Sequence, residues 1–229
     1  MPRPLRIALT KGRLEQKTID LFENSGIECE SIHDKGRKLI FPIDNEKIEV
    51  MLVKSSDVIT YVEHGTCDLG VVGKDSIMEH GKQLYEIADL GFGKCRMALA
   101  APAKYNGEVS FFDGYTNKVI ATKFEKIARD YFAQKQMDIE IVKIEGSVEL
   151  APILGLADGI VDIVETGTTL KENGLEVIED VCPISARLIA NIASMKLRKA
   201  EITDLIKKLK IWIEWSVLND TCNQKFWIW

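Results

Sequence analysis

"IVDIVETGTTLKENGLEVIEDV", residues 160–181, is the stretch whose reading decides the fold. IVDIV is apolar enough for a buried strand and stops abruptly at Glu165-Thr166-Gly167-Thr168-Thr169. A polar, helix-like segment follows, and LEVIEDV (175–181) opens a second β-rich run. Strand, glycine loop, helix and strand in succession form the repeating unit of an α/β protein.

The alternation continues in both directions. LRIAL (5–9), KLIFPI (38–43), KIEVMLV (47–53), DLGVVG (68–73), CRMALAAP (95–102), KVIAT (118–122), IEIVKI (139–144) and ARLIANIAS (186–194) read as strands, with a hairpin turn at Asp44-Asn45. Helices are expected over EQKTIDLFENSG (15–26), closed by Gly26, and over FEKIARDYFAQKQ (124–136). Two more are expected over SSDVITYVEHG (55–65), capped by Ser56 or Asp57, and VELAPILGLADG (148–159), capped by Ser147. A long helix is expected from about Glu201 to Leu218, and the aromatic end FWIW reads as a docked strand or helix end. The pattern predicts α/β architecture with mainly parallel sheets.

Composition narrows the functional classes. The chain of 229 residues is 46% hydrophobic and 28% charged, as a globular protein with a substantial core would be. A net charge of −5 argues against nucleic acid or an anionic membrane as partner. The five cysteines are scattered without a C-x-x-C pair, which indicates neither a disulfide framework nor a zinc site. With no signal-like start and no run of roughly 18 apolar residues, a reduced, cytoplasmic protein is expected. His33, His64 and His80 have no metal-ligand spacing.

Three strand ends carry chemistry. In E-T-G-T-T, Gly167 lets ligand oxygens approach the backbone, and Thr166, Thr168 and Thr169 supply hydroxyls beside the open amides of a helix start. Glu165 would repel a phosphate but suits ligand hydroxyls or a bound Mg²⁺. A threonine capping a short helix after a glycine turn is the plain alternative. LTKGRLEQ (9–16) places Lys11 and Arg13 around Gly12, and DLGVVGKD (68–75) ends at Gly73, Lys74 and Asp75. Lys54 follows a strand in the same way. In open α/β sheets such carboxyl-end loops line the ligand crevice, so their concurrence points to a multiply phosphorylated ligand.

LRIALTKGRL, YVEHGTCDLGVVGKD, DLGFGKCRMALA, GSVELAPILGLADGIVDIVETGTTLKENGL and ISARLIAN together resemble the ATP phosphoribosyltransferase family, from about Leu5 to Lys210. The resemblance implies a two-lobed fold like that of type II periplasmic binding proteins, with the ligand cleft between the lobes. Residues 1–91 and 180–229 would form lobe I, and 92–179 lobe II. It implies transfer of phosphoribosyl from phosphoribosyl pyrophosphate (PRPP) to N1 of ATP, with Mg²⁺, as the first step of histidine biosynthesis.

On that resemblance Glu165, Thr166, Gly167, Thr168 and Thr169 cradle the PRPP 5′-phosphate, and Glu149, Asp158 and Asp162 serve the ribose hydroxyls or the metal. Lys11, Gly12, Arg13, Lys54, Gly73 and Asp75 fall on the ATP and pyrophosphate side, with Lys11 and Arg13 catalytic. Lys54 stands where arginine is frequent in the family, and Thr10 where proline is common. The length matches the family's short form, which implies a partner resembling a histidyl-tRNA synthetase core and a homodimer within a hetero-oligomer. A non-catalytic nucleotide or phosphosugar sensor of the same fold is the alternative. An ordinary type I phosphoribosyltransferase is disfavoured, because Asp162 and Glu165 are not adjacent acids before a T-G-x-T loop.

Overall fold

A computed structural model of the chain describes residues 3–34, 36–81, 83–105, 110–113 and 117–210, and the backbone alone of 215–217 and 225–226. The chain divides into two units, Met1–Gly93 with Ser185–Trp229, and Lys94–Ile184. Unit 1 begins with β1 (Leu5–Thr10), α1 (Arg13–Asn24), α2 (Glu30–His33), β2 (Ile40–Ile43), β3 (Ile48–Val53), α3 (Ser55–Glu63), β4 (Leu69–Gly73), α4 (Lys74–His80) and β5 (Leu84–Asp89). Unit 2 comprises β6 (Cys95–Pro102), β7 (Lys118–Thr122), α5 (Glu125–Gln134), β8 (Ile139–Lys143), α6 (Leu150–Ile153), β9 (Gly159–Val164), α7 (Thr168–Glu172) and β10 (Leu175–Ile184). The chain then completes unit 1 with β11 (Ala186–Asn191), α8 (Ile192–Leu197), α9 (Lys199–Lys208), β12 (Trp215–Val217) and β13 (Lys225–Phe226). Because β6 and β10 stay paired through Cys95↔Ile184, the units divide at 93/94 and 184/185 rather than at 91/92 and 179/180.

The sheets run β13-β12-β5-β11-β4-β1-β3-β2 in unit 1 and β10-β6-β9-β7-β8 in unit 2. Each contains the same parallel triplet, β4-β1-β3 in one and β9-β7-β8 in the other. Among the described residues every pairing outside the triplets is antiparallel, which corrects the expectation of mainly parallel sheets. Parallel neighbours need a crossover of a dozen or more residues. The hairpin strand β2 joins β3 through the short turn at residues 44–47, which leaves no room for such a crossover.

The helices follow apolar periodicity where it is long. One stripe of α1 buries Thr18, Ile19 and Phe22 on the sheet, and α5 buries Ile127, Ala128, Tyr131 and Phe132. Shorter elements differ from expectation. The helix after Ser147 spans only Leu150–Ile153, because Ser147 itself has φ 49° and Gly155, at φ 74°, turns the chain away. Ser56 and Asp57 lie inside α3, whose cap is Lys54. The strand over 186–194 ends at Asn191, whose side chain accepts a 3.0 Å hydrogen bond from the Ser194 amide and starts α8. The long terminal helix stops at Lys208, with Lys210 at φ 51°, and Trp215–Val217 is strand. Of the FWIW end, residues 227–229 lie outside the described residues.

Unit 1 is closed by one buried carboxylate. Asp68, fully buried just before β4, accepts from Arg3 Nη1 (2.6 Å) and Nη2 (3.0 Å), the Arg6 amide (2.9 Å), Ser194 Oγ (2.7 Å) and Arg198 Nη1 (2.9 Å). Arg198 also reaches the carbonyls of Arg3 and Pro4 and the Glu201 carboxylate. Burial is the largest influence on Asp68 and acts to raise its pKa. The donated hydrogen bonds from Arg3, the Arg6 amide and Ser194, with the Arg3 charge, outweigh it and hold the carboxyl below the usual range.

A depressed folded pKa gives stability that is present above the unfolded value, about 3.9 for aspartate, and lost as pH falls through the folded value. Asp68→Asn is therefore expected to cost about 3 kcal/mol at neutral pH. In thermal unfolding that is a Tm drop of about 8 °C. The gap from wild type should narrow as pH falls below about 4. A gap unchanged with pH would contradict the assignment.

Candidate active site

In each unit the carboxyl ends of the triplet gather the chemistry-bearing loops at one sheet edge. In unit 1, β1 lies between β3 and β4, and the register Thr10↔Val53, continued by the Lys11 amide on the Val53 carbonyl at 2.9 Å, sets Lys11 beside Lys54. Gly12 has φ 100°, a conformation glycine adopts without strain, and its amide is engaged by Glu15 Oε2 at 3.2 Å. Exposed Lys11, Arg13 and Lys54 therefore give this edge its positive side chains. Thr10 donates its hydroxyl to the Val71 carbonyl at 3.0 Å, joining β1 to β4 in a way proline could not.

Gly73 caps α4 with an unstrained φ of −69°. An added Cβ would lie 2.1 Å from Asp75 Oδ1, so the Asp75 carboxylate occupies the space a side chain would take. Lys74, next in the chain, belongs to a polar network centred on the buried Glu86. Glu86 is 4% exposed and pairs with Lys74 and with Arg187 (3.2 Å). Arg187 also reaches Asp89 (3.1 Å), which accepts from Ser185 Oγ (2.8 Å) and the Gly91 amide (2.8 Å).

In unit 2 the loop 165–169 leaves β9 with its threonines exposed. Gly167 has φ 80°, and an added Cβ would meet only Val164 Cγ1 at 3.8 Å, so backbone strain rather than space requires glycine there. Thr166 and Thr168 hydroxyls lie 3.1 Å apart, and the first amides of α7 have no intrahelical partner. Glu149, half-buried, follows β8 at the same edge as α6's cap. Asp162 is half-buried within β9, opposite Ala98.

Asp158 is not brought to this edge. It precedes β9, seven residues before Glu165, or about 23 Å along an extended strand. Its Oδ2 accepts from the Val119 amide at 2.9 Å while its own amide donates to the Val119 carbonyl at 2.8 Å. Asp68 makes the same pair of bonds with Arg6, both at 2.9 Å. Asp158 is thus the unit 2 counterpart of a structural aspartate, and its place beside ribose hydroxyls is withdrawn.

Arg96 was missed by sequence reasoning. It sits on β6 opposite Val164, one residue from Glu165, and pairs with Asp180 at 2.7 Å. Its position inside the apolar run CRMALAAP hid it, since nothing in the run says which strand will lie alongside. Exposed Lys123, immediately after β7, is a further cation at this edge. The Cys29 and Cys67 thiols are pushed up to about 11, chiefly by burial, and so are poor nucleophiles.

Two α/β units whose parallel strands end in glycine loops set with cations and hydroxyls define a protein that handles phosphorylated ligands. A family model described as HisG: ATP phosphoribosyltransferase matches residues 54–211. An ATP phosphoribosyltransferase of Clostridium acetobutylicum is 55% identical over 212 residues, covering 93% of this chain and 97% of that one. One of Clostridium kluyveri is 54% identical over 211 residues, 92% and 94% of the two chains. The ATP phosphoribosyl transferase (HisG:HisZ) complex from Thermotoga maritima superposes with a TM-score of 0.76 at 32% identity, covering 90% of this chain and 96% of that one. The alkanesulfonate-binding protein SsuA from Xanthomonas axonopodis pv. citri, at 11% identity and TM-score 0.52, covers 91% and 72% and shares the fold. The chain belongs to the ATP phosphoribosyltransferase family.

Gly73→Ala tests the unit 1 edge. Its ordinary φ predicts a folded variant melting within a few degrees of wild type, while displacement of the Asp75 carboxylate slows phosphoribosyl transfer. Undiminished turnover would remove Asp75 from the site.

Proposed function

We propose that the chain transfers the phosphoribosyl group of PRPP to N1 of ATP, forming N1-(5-phosphoribosyl)-ATP and pyrophosphate, the first step of histidine biosynthesis. Identity of about 55% over nearly the whole length of curated ATP phosphoribosyltransferases carries the reading. In this assignment Gly167 and the hydroxyls of Thr166, Thr168 and Thr169 receive the 5′-phosphate. Glu165, Glu149 and Asp162 serve the ribose hydroxyls. Lys11, Arg13 and Lys54, with the Gly73–Asp75 turn, engage ATP and pyrophosphate.

The chemistry fits such a site. The bond from C1 of the ribose to a pyrophosphate oxygen breaks, the bond to adenine N1 forms, and the C1 centre is oxocarbenium-like in between. N1 already holds its lone pair, so alignment and neutralisation of the leaving group matter more than a general base. Mg²⁺ would neutralise the departing pyrophosphate. The carboxylate oxygens of Glu165 are hard donors of the kind this cation prefers, and it commonly keeps substrate and water ligands as well.

The short-form assignment and its partner belong to the same proposal. Complex formation is a property of the Thermotoga maritima relative. For this chain a cytoplasmic homodimer, within a hetero-oligomer completed by a histidyl-tRNA-synthetase-like subunit, is the arrangement that reading favours.

Arg13→Ala is expected to lower kcat at least about tenfold, or about 1.4 kcal/mol of barrier. Unchanged kinetics would remove Arg13 from the catalytic residues. Gly167→Val forces a β-branched side chain into a left-handed backbone. Titration calorimetry should show PRPP affinity at least about tenfold weaker in the folded variant. Wild-type affinity would refute the cradle.

A further inference from the structure

A glutamate is out of place in the buried middle of a sheet. Glu86 is nonetheless 4% exposed within β5. The pairing of β5 with β11 shows how it is accommodated. Asp89 stands opposite Arg187 and Ala88 opposite Leu188, but Ile189 stands opposite Glu86, so Ile87 is an extra residue in the ladder. Residues three apart in a regular strand point to opposite faces. The bulge at Ile87 returns Glu86 to the face of Asp89, and one guanidinium meets both. Arg187 Nη1 lies 3.2 Å from Glu86 Oε1, and Nη2 lies 3.1 Å from Asp89 Oδ2.

These bonds belong to a closed ring. The other oxygen of Glu86 accepts from the Lys74 ammonium. The Lys74 amide donates to the Ser185 carbonyl at 3.0 Å. Ser185 Oγ donates to Asp89 Oδ2 at 2.8 Å, which leads back to Arg187. Lys74 is therefore held twice, by its ammonium and by its backbone, and its neighbours in the chain are Gly73 and Asp75. Replacing buried ion pairs by apolar packing is often neutral or stabilising, so stability alone is a weak reason for such a ring. The bulge, the interrupted strand and the paired charges converge instead on one residue at the site edge.

We propose that Glu86 is a positioning residue for phosphoribosyl transfer, acting through Lys74 to fix the Gly73–Asp75 turn. The inference rests on the assignment of that turn to ATP and pyrophosphate. With Lys74 anchored, the Asp75 carboxylate stays folded over Gly73, in the space a Cβ would fill. Arg187 has a second task. Two carboxylates beside an anion site would repel the anion, and Arg187, bonded to both, offsets their charge.

Two readouts on the full chain separate this inference from the reaction itself. The first, amide hydrogen exchange, needs no turnover. In Glu86→Gln the Lys74 amide should exchange at least about tenfold faster, with the amides of β1 and β3 unchanged. The second is steady-state phosphoribosyl transfer, with the synthetase-like subunit present. Glu86→Gln should lower kcat at least about tenfold and leave the PRPP KM within about twofold of wild type. Added to Asp75→Asn, the same change should lower kcat no further, because both act on one carboxylate. Lys74→Met, at a partly exposed position, should reproduce these results and decides the matter if Glu86→Gln does not fold. Exchange unchanged at Lys74, or accelerated throughout the sheet, would overturn the inference. So would kcat losses that multiply in the double variant. A wild type that forms no product would contradict the reaction, and the exchange readout would still decide the role of Glu86.

Discussion

The Asp68 carboxylate is the contact on which unit 1 depends. The sheet is assembled from two stretches separated by all of unit 2, and ordering the returning stretch has a conformational entropy cost that local contacts must offset. Asp68 joins the chain's beginning, through Arg3 and the Arg6 amide, to the returning segment, through Ser194 and Arg198. A buried carboxylate is tolerable only when its lone pairs are satisfied, and here five donor contacts do so. The same need makes the cluster exacting, since loss of one member would strand the others.

Unit 2 repeats the scheme with the same amide bond and fewer donors. Asp158 stands before β9 as Asp68 stands before β4, and each binds the amide of the neighbouring parallel strand. Both units thus keep an anchoring carboxylate at the amino end of the triplet and leave the carboxyl end to loops. That separation is physically useful. The anchoring carboxylates are bonded, Asp68 fully buried and Asp158 half-buried, whereas Lys11, Arg13, Lys54 and the threonines of loop 165–169 are exposed and able to meet a ligand. Asp158 lines a cavity with Lys104 and Tyr105, whereas Asp68 is enclosed by Arg3 and Arg198.

Much of this was legible in the sequence because long periodic runs and glycine-terminated strands carry their own signals. The triplet strands follow from apolar runs, and the loops at Lys11–Arg13, Gly73–Asp75 and Glu165–Thr169 from the glycines close to where three of those runs stop. Strand β5 was missed because Glu86 interrupts LYEIAD, and only the fold reveals that Lys74 and Arg187 neutralise it. The helix after Ser147 was drawn too long because Pro152 and Gly155 were outweighed by surrounding leucines. Asp158 was misassigned because sequence proximity to the E-T-G-T-T loop becomes, in an extended strand, spatial distance. Arg96 was invisible for the converse reason, being far from that loop in sequence and adjacent across the sheet.

The most direct test of the account is the identity of the product. The chain, alone and with a synthetase-like subunit, would be given PRPP and Mg²⁺ with either ATP or free adenine, and the adduct's linkage would be read by NMR. The account predicts an ATP adduct bearing phosphoribose on N1, with release of pyrophosphate and no reaction of free adenine. Transfer to free adenine, or no adduct from a folded and assembled protein, would contradict it.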